Sequence, residues 1–125
     1  MTEPESSLVR LIEAFATQDA PAMRATLADD LTAFITTADG GVEAVHGADE
    51  YVARLLALQA PTLRVTVTQS VTVSAEQALA MVEIYAERKG RTLHNFAAFL
   101  AVGAGPLREL WMVEALPAYS DEFWR

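Results

Sequence analysis

The chain is 125 residues long, carries 17 acidic against 9 basic residues for a formal net charge of −8, and contains no cysteine. That length suits one domain, 1–125, around one core, and the missing cysteine excludes disulfides, thiolate nucleophiles and thiolate-bound metals. The acidic balance, with no basic cluster beyond Arg88-Lys89 and Arg91, opposes a nucleic-acid partner.

Residues 1–5 are expected to be disordered, and their acidic start lacks the basic and apolar regions of a secretion signal, so the cytoplasm is the expected address. From Ser6, which with Ser7 offers a cap, Leu8, Leu11, Ile12 and Phe15 repeat at the spacing of one helical face. Asp19 before Pro21 predicts a second helix, with Met23 and Leu27 on its buried side and Asp29-Asp30 ending it. Residues 31–38 alternate and hold Phe34 and Ile35, which predicts a strand turning at Asp39-Gly40-Gly41 into a short return strand over 42–46. A third helix is predicted over 48–58, with Tyr51, Leu55 and Leu58 on one stripe and Pro61 beyond it.

Residues 63–74 alternate throughout, placing Leu63, Val65, Val67, Val71 and Val73 on one face of a long strand. The next strand, 77–89, is apolar in both registers: Ala78, Ala80, Val82 and Ile84 on one side, Leu79, Met81 and Tyr85 on the other. Both of its faces therefore need cover, and a homodimer through the second face is the expected partner arrangement. Lys89-Gly90 and 103–106 are turns separating strands over 91–102 and 107–116. The connection lengths predict an antiparallel meander, so the fold class is α+β, with three helices in the first half packed on the sheet. The tail ends on Phe123-Trp124, two aromatics that need a packing site. No run approaches the roughly 20 apolar residues of a bilayer span, so no membrane partner is expected.

Asp19 after the first helix, Ala28-Asp29-Asp30, His46-Gly47-Ala48, the stretch from Gly105 to Trp111 and the terminal Ser120-Asp121-Glu122-Phe123-Trp124, taken in this order and spacing, resemble the nuclear transport factor 2-like superfamily. The likeness is to its SnoaL-like and ketosteroid-isomerase-like branch and spans nearly the whole chain. It implies a cystatin-like roll: a strongly curved sheet wrapped about the helices as a cone-shaped pocket, with a dimer on the outer sheet face. It also implies a small-molecule-binding protein, possessing or lacking isomerase, cyclase or hydratase activity. The isomerase pattern puts a tyrosine at Leu11, a base near Ile35 and a second acid near Ala97. All three are apolar here, which excludes steroid isomerisation by the usual residues.

In the same registers the pocket wall takes Val82, Ile84, Phe99, Leu110 and Met112, with Phe34 and Trp111 as further ligand-contacting aromatics. Glu114, at a strand end in an apolar mouth, is the first candidate acid or base; its other reading is a solvated rim residue. His94 and Asn95 are adjacent on a strand, so one faces in; the register favours Asn95, and a one-residue bulge exchanges them. Tyr51 is either core or a hydroxyl aimed at ligand, His46 reads as a loop residue, and Trp111, Phe123 and Trp124 line the pocket or pack the dimer. There is no His-x-His, Gly-x-Ser-x-Gly or glycine-rich phosphate motif. The expectation is a small hydrophobic ligand with no metal or cofactor. The other reading is a non-catalytic carrier or dimerisation module whose cavity is filled by its own side chains.

Overall fold

Helix α1 spans Glu3–Ala16 in the computed structural model, which describes residues 2–58 and 61–125. It begins inside the stretch expected to be disordered and before Ser6. Pro4 sits in its first turn, where the missing N–H costs nothing, and Glu3 and Glu5 complement the positive end of the helix dipole. Glu5 is only 8% exposed; the hydroxyls of Thr72 (2.6 Å) and Ser70 (2.7 Å) donate to it and hold its carboxyl below the ordinary carboxylate range. Leu8, Leu11 and Ile12 are buried, each stabilising the fold by roughly 1.5–3 kcal/mol.

Helix α2 is short, Ala20–Ala25, capped by the Asp19 carboxylate accepting from Ala22 N. The expected helical Leu27 and the Asp29-Asp30 stop are corrected, because β1 already runs Leu27–Thr36. The two aspartates project to solvent from the strand, and Arg24 pairs with Asp29. Strand β2, Val42–His46, returns antiparallel to β1, and α3 follows at Ala48–Leu56.

Strands β3 (Arg64–Ser74), β4 (Gln77–Arg88), β5 (Arg91–Val102) and β6 (Leu107–Glu114) complete a six-stranded sheet in the order β2-β1-β6-β5-β4-β3. The β4–β5 turn has positive φ at both central residues, Lys89 (52°) and Gly90 (75°), which matches the right-handed strand twist. The sheet is mixed, correcting the all-antiparallel expectation: β1 pairs parallel with β6, Phe34 beside Trp111 and Ile35 beside Met112. Pairing between the first and last thirds of a chain leaves no local signal, and short hairpin connections describe only neighbours in sequence.

A register shift between Val67 and Gln69 corrects the uniform face assigned to β3. Beyond it Ser70 and Thr72 turn inward to Glu5, while Val71 and Val73 face outward and are exposed. Such bulges also bend the sheet, so the helices pack in its concavity. The chain then closes with an unforeseen helix, α4, Pro117–Trp124. Its last carbonyls accept from Arg88 (Trp124 O, 2.5 Å) and Arg91 (Glu122 O, 3.0 Å; Phe123 O, 3.2 Å), two cations complementing the negative end of the dipole.

Gly103 fixes the start of the β5–β6 turn at φ +153°, where a Cβ would stand 2.4 Å from the Pro106 carbonyl oxygen and 3.1 Å from Leu107 Cα. Both neighbours are backbone and cannot step aside. Gly103→Ala is expected to destabilise the protein by about 2–4 kcal/mol in thermal denaturation, whereas Gly105→Ala, with open space around its Cβ, shifts it little.

Candidate functional site

The concavity is not filled. A cavity of about 190 Å³ remains between α1, α3, α4 and the inner sheet face. Leu11, Ile12 and Phe15 of α1 form one wall; Ile35, Val65, Val82, Ile84, Phe99 and Met112 form the sheet wall. The side-chain periods put them there: every second residue on β4 and β5 is buried, and α1 presents one stripe.

Seven described residues of the wall carry a polar atom in their side chains: Thr36, Tyr51, Arg54, Asn95, Glu114, Ser120 and, through its indole N–H, Trp124. Most are already committed. The Thr36 hydroxyl donates to Met112 O (3.0 Å) and accepts from Glu114 N (3.3 Å). Asn95, 1% exposed, accepts from Phe96 N (2.9 Å) and Leu116 N (3.2 Å) and donates to Leu116 O (3.2 Å). It faces inward as the register predicts, yet its amide is engaged in tying β5 to the entry of α4. Arg54 makes a two-pronged pair with Glu43 at 2.8 and 3.3 Å.

Two groups stand differently. Burial pushes the Glu114 carboxyl above the ordinary carboxylate range; the Ser120 hydroxyl pulls it back down, and the negative charge of Asp121 raises it further. Glu114 lies on β6 directly across from Ala97, so an acid near the place that isomerase spacing gives to Ala97 comes from the neighbouring strand. Tyr51 on α3 is 3% exposed, and burial pushes its phenol well above its ordinary value. Its hydroxyl makes no hydrogen bond to a described residue, and it is not sealed off either, since every fully buried described side-chain N or O has a partner.

The other sequence candidates divide. Val82, Ile84, Phe99 and Met112 line the cavity as expected. Leu110 is buried but does not border it. Phe34 and Trp111 are corrected: they stack on each other with centroids 4.0 Å apart, outside the cavity, while Ile35 takes the inward place beside Phe34. His94 is likewise corrected as a cavity residue. No bulge intervenes on β5, so it points outward, with Nε2 2.6 Å from Glu83 Oε2. His46 is exposed at the end of β2. Trp124 lines the cavity, while Phe123 packs in the core edge-on to it at 4.8 Å.

Thr36, Arg54 and Ser120 were not foreseen. Ser120 had a signal, Pro117 at a first helical turn, and the other two had none beyond their elements. Among the described residues no cluster of three or more His, Asp or Glu side chains is placed to hold a metal ion, and no helix is long and apolar enough to cross a membrane.

Compared with known proteins, the chain matches the SnoaL-like domain over residues 8–106. Among solved structures it is similar to Bal32a from a soil-derived mobile gene cassette, at 15% identity and a TM-score of 0.82, covering 98% of this chain and 97% of that one. A nuclear transport factor 2-like protein of unknown function from Burkholderia pseudomallei K96243 aligns at 18% identity and TM-score 0.79, over 98% of both chains. A candidate polyketide cyclase from Pseudomonas putida KT2440 aligns at 18% identity and TM-score 0.72, again over 98% of both. No curated protein matches. At these identities the solved structures speak for the fold alone.

Proposed function

This chain belongs to the SnoaL-like domain family, and from that premise we propose that it binds a small hydrophobic molecule in the inner cavity and transforms it by proton transfer through Glu114. The observation that carries the reading is one carboxyl held toward its neutral form by burial, on the wall of an otherwise apolar space that the protein leaves open. A group so placed can take a proton from a ligand carbon and return it elsewhere on the same molecule, leaving the overall composition unchanged, which is isomerase or cyclase chemistry; delivering its proton to one carbon of a double bond and recovering one from the water that adds to the other carbon is hydratase chemistry. The candidate polyketide cyclase among the structural neighbours agrees with this class.

A second reading is favoured by the engagement of Asn95: with its amide committed to Leu116 and Phe96, the cavity belongs to a non-catalytic carrier. In both readings the partners are a small apolar molecule and a second copy of the chain, with neither nucleic acid nor membrane involved.

Native mass spectrometry of gently purified protein tests the shared claim. The wild-type chain is expected to retain a small organic molecule, or to take one up from a mixture of small cyclic compounds. Ile35→Trp, which fills much of the cavity from its β1 wall, is expected to retain none. Equal behaviour of the two proteins removes the cavity as the binding site.

A further inference from the structure

The polar accounting of the wall says what the ligand must look like. Thr36, Asn95 and Arg54 already have protein partners, and Ser120 serves Glu114. A bound molecule therefore meets two donor side chains that have no partner among the described residues, the Tyr51 hydroxyl and, toward the α4 end, the Trp124 indole N–H, and one carboxyl, Glu114, in an otherwise largely apolar space.

We propose, resting on the reading of the cavity as a ligand site, that it takes an uncharged molecule of about one six-membered ring bearing a carbonyl or similar acceptor oxygen, which receives the Tyr51 hydroxyl.

Size sets the first limit. An apolar cavity of about 150 Å³ is filled by benzene, so about 190 Å³ holds one ring with a short substituent. A fused four-ring skeleton has more than twice as many carbon atoms and enters only if the helices part from the sheet.

Charge sets the second limit. An anion would be stripped of water and set beside Glu114, with Asp121 close behind, while the wall's one cation, Arg54, is held by Glu43. An ammonium would lose its hydration for a single carboxyl that burial already disfavours as an anion. A neutral ligand escapes both costs.

The acceptor oxygen sets the third. A phenol O–H that opens on an apolar cavity with no partner among the described residues is a donor awaiting an acceptor. A carbonyl supplies that acceptor and no excess donors that the wall would leave unpaired. With Tyr51 on α3 and Glu114 on β6, the oxygen and the carbons next to it meet the two groups from different walls.

The test is a titration followed by protein NMR with near-isosteric probes: cyclohexanone, methylcyclohexane, cyclohexylammonium and cyclohexanecarboxylate, plus a steroid ketone for size. Cyclohexanone is expected to bind most tightly among them, and the steroid ketone not at all. Tyr51→Phe is expected to weaken cyclohexanone about tenfold while leaving methylcyclohexane within about twofold. The carbonyl ¹³C resonance of bound cyclohexanone, which needs no substitution, is expected downfield of its position in cyclohexane solution. Tighter binding of the ammonium, the carboxylate or the steroid ketone overturns the proposal, as does an unshifted carbonyl resonance or indifference to Tyr51→Phe; in each of these the ligand-site reading survives. Absence of binding by every probe overturns both.

Discussion

Glu114→Gln is expected to lower proton transfer to and from a bound ligand by about 10²- to 10⁴-fold while making the protein more stable at neutral pH. Both effects come from one physical cause. Burial raises the folded-state pKa of Glu114 above its unfolded value, so the ionised side chain destabilises the fold at pH 7, and a neutral amide removes that penalty. The folded state binds this proton more tightly than the unfolded one. The stability gained by the variant is therefore present above the raised folded pKa, shrinks as the pH falls through it, and vanishes below the unfolded value of about 4.3. Melting curves of the two proteins across this range should converge in acid. Turnover need not await the natural substrate: deuterium uptake from heavy water at the carbons beside the carbonyl of bound cyclohexanone reports a base in the cavity. Unchanged uptake in Glu114→Gln removes the catalytic role and leaves the carrier reading. Melting curves that coincide at every pH would remove the claim of a strained carboxyl as well.

How much of this could be read from residues alone depended on the range of the interaction involved. The inward faces of β4 and β5 were legible because a strand's side chains alternate with period two, and Asn95 and Ile84 fell where alternation put them. On β1 alternation leaves the phase open: Phe34 and Ile35 are neighbours and only one can face in, and it is Ile35 that lines the pocket while Phe34 stacks on Trp111 outside it. The bulge after Val67 cannot be seen in an alternating sequence, because Val71 and Val73 continue the pattern while the backbone has changed sides. Asp29-Asp30 looked like a helix stop, and it took Arg24 from α2 and solvent on the outer side to make two aspartates acceptable in a strand. Tyr51 was visible on a helical stripe, but whether its hydroxyl has a partner depends on every element around it. Helix α4 is eight residues long and weakly amphipathic, and it is held by arginines of a distant hairpin, none of which a local pattern records.

The outer face of the sheet leads to the second large effect: replacing Met81 and Phe96 together by glutamate is expected to convert a dimer into a monomer with the fold intact. Val71, Leu79, Met81, Phe96 and Val113 lie on that face, each at least 42% exposed. Cross-strand pairing gathers them into rows: Trp111, Leu100, Leu79 and Val71 in one, Val113, Ala98 and Met81 in the next. The helices cover the opposite face, so none of the described residues shields these rows, and an apolar patch of this extent on a lone chain would be a liability. A second copy placed face to face satisfies it by the same residues twice. A specific interface of ordinary size needs about 800 Å² from each partner, and apolar area removed from water contributes roughly 25 cal/mol per Å², so most of the drive would come from these side chains. Two glutamates per chain, one at Met81 inside the patch and one at Phe96 on its border beside Glu83, meet their like from the partner and must shed their water, which association cannot offset. The His94–Glu83 pair, at the Tyr85 end of the face, is far better placed for a wet rim. Sedimentation velocity at micromolar concentration is the measurement. The wild-type chain should sediment as a dimer and the double variant as a monomer with an unchanged circular dichroism spectrum; a wild-type monomer at that concentration would leave the exposed rows without this explanation.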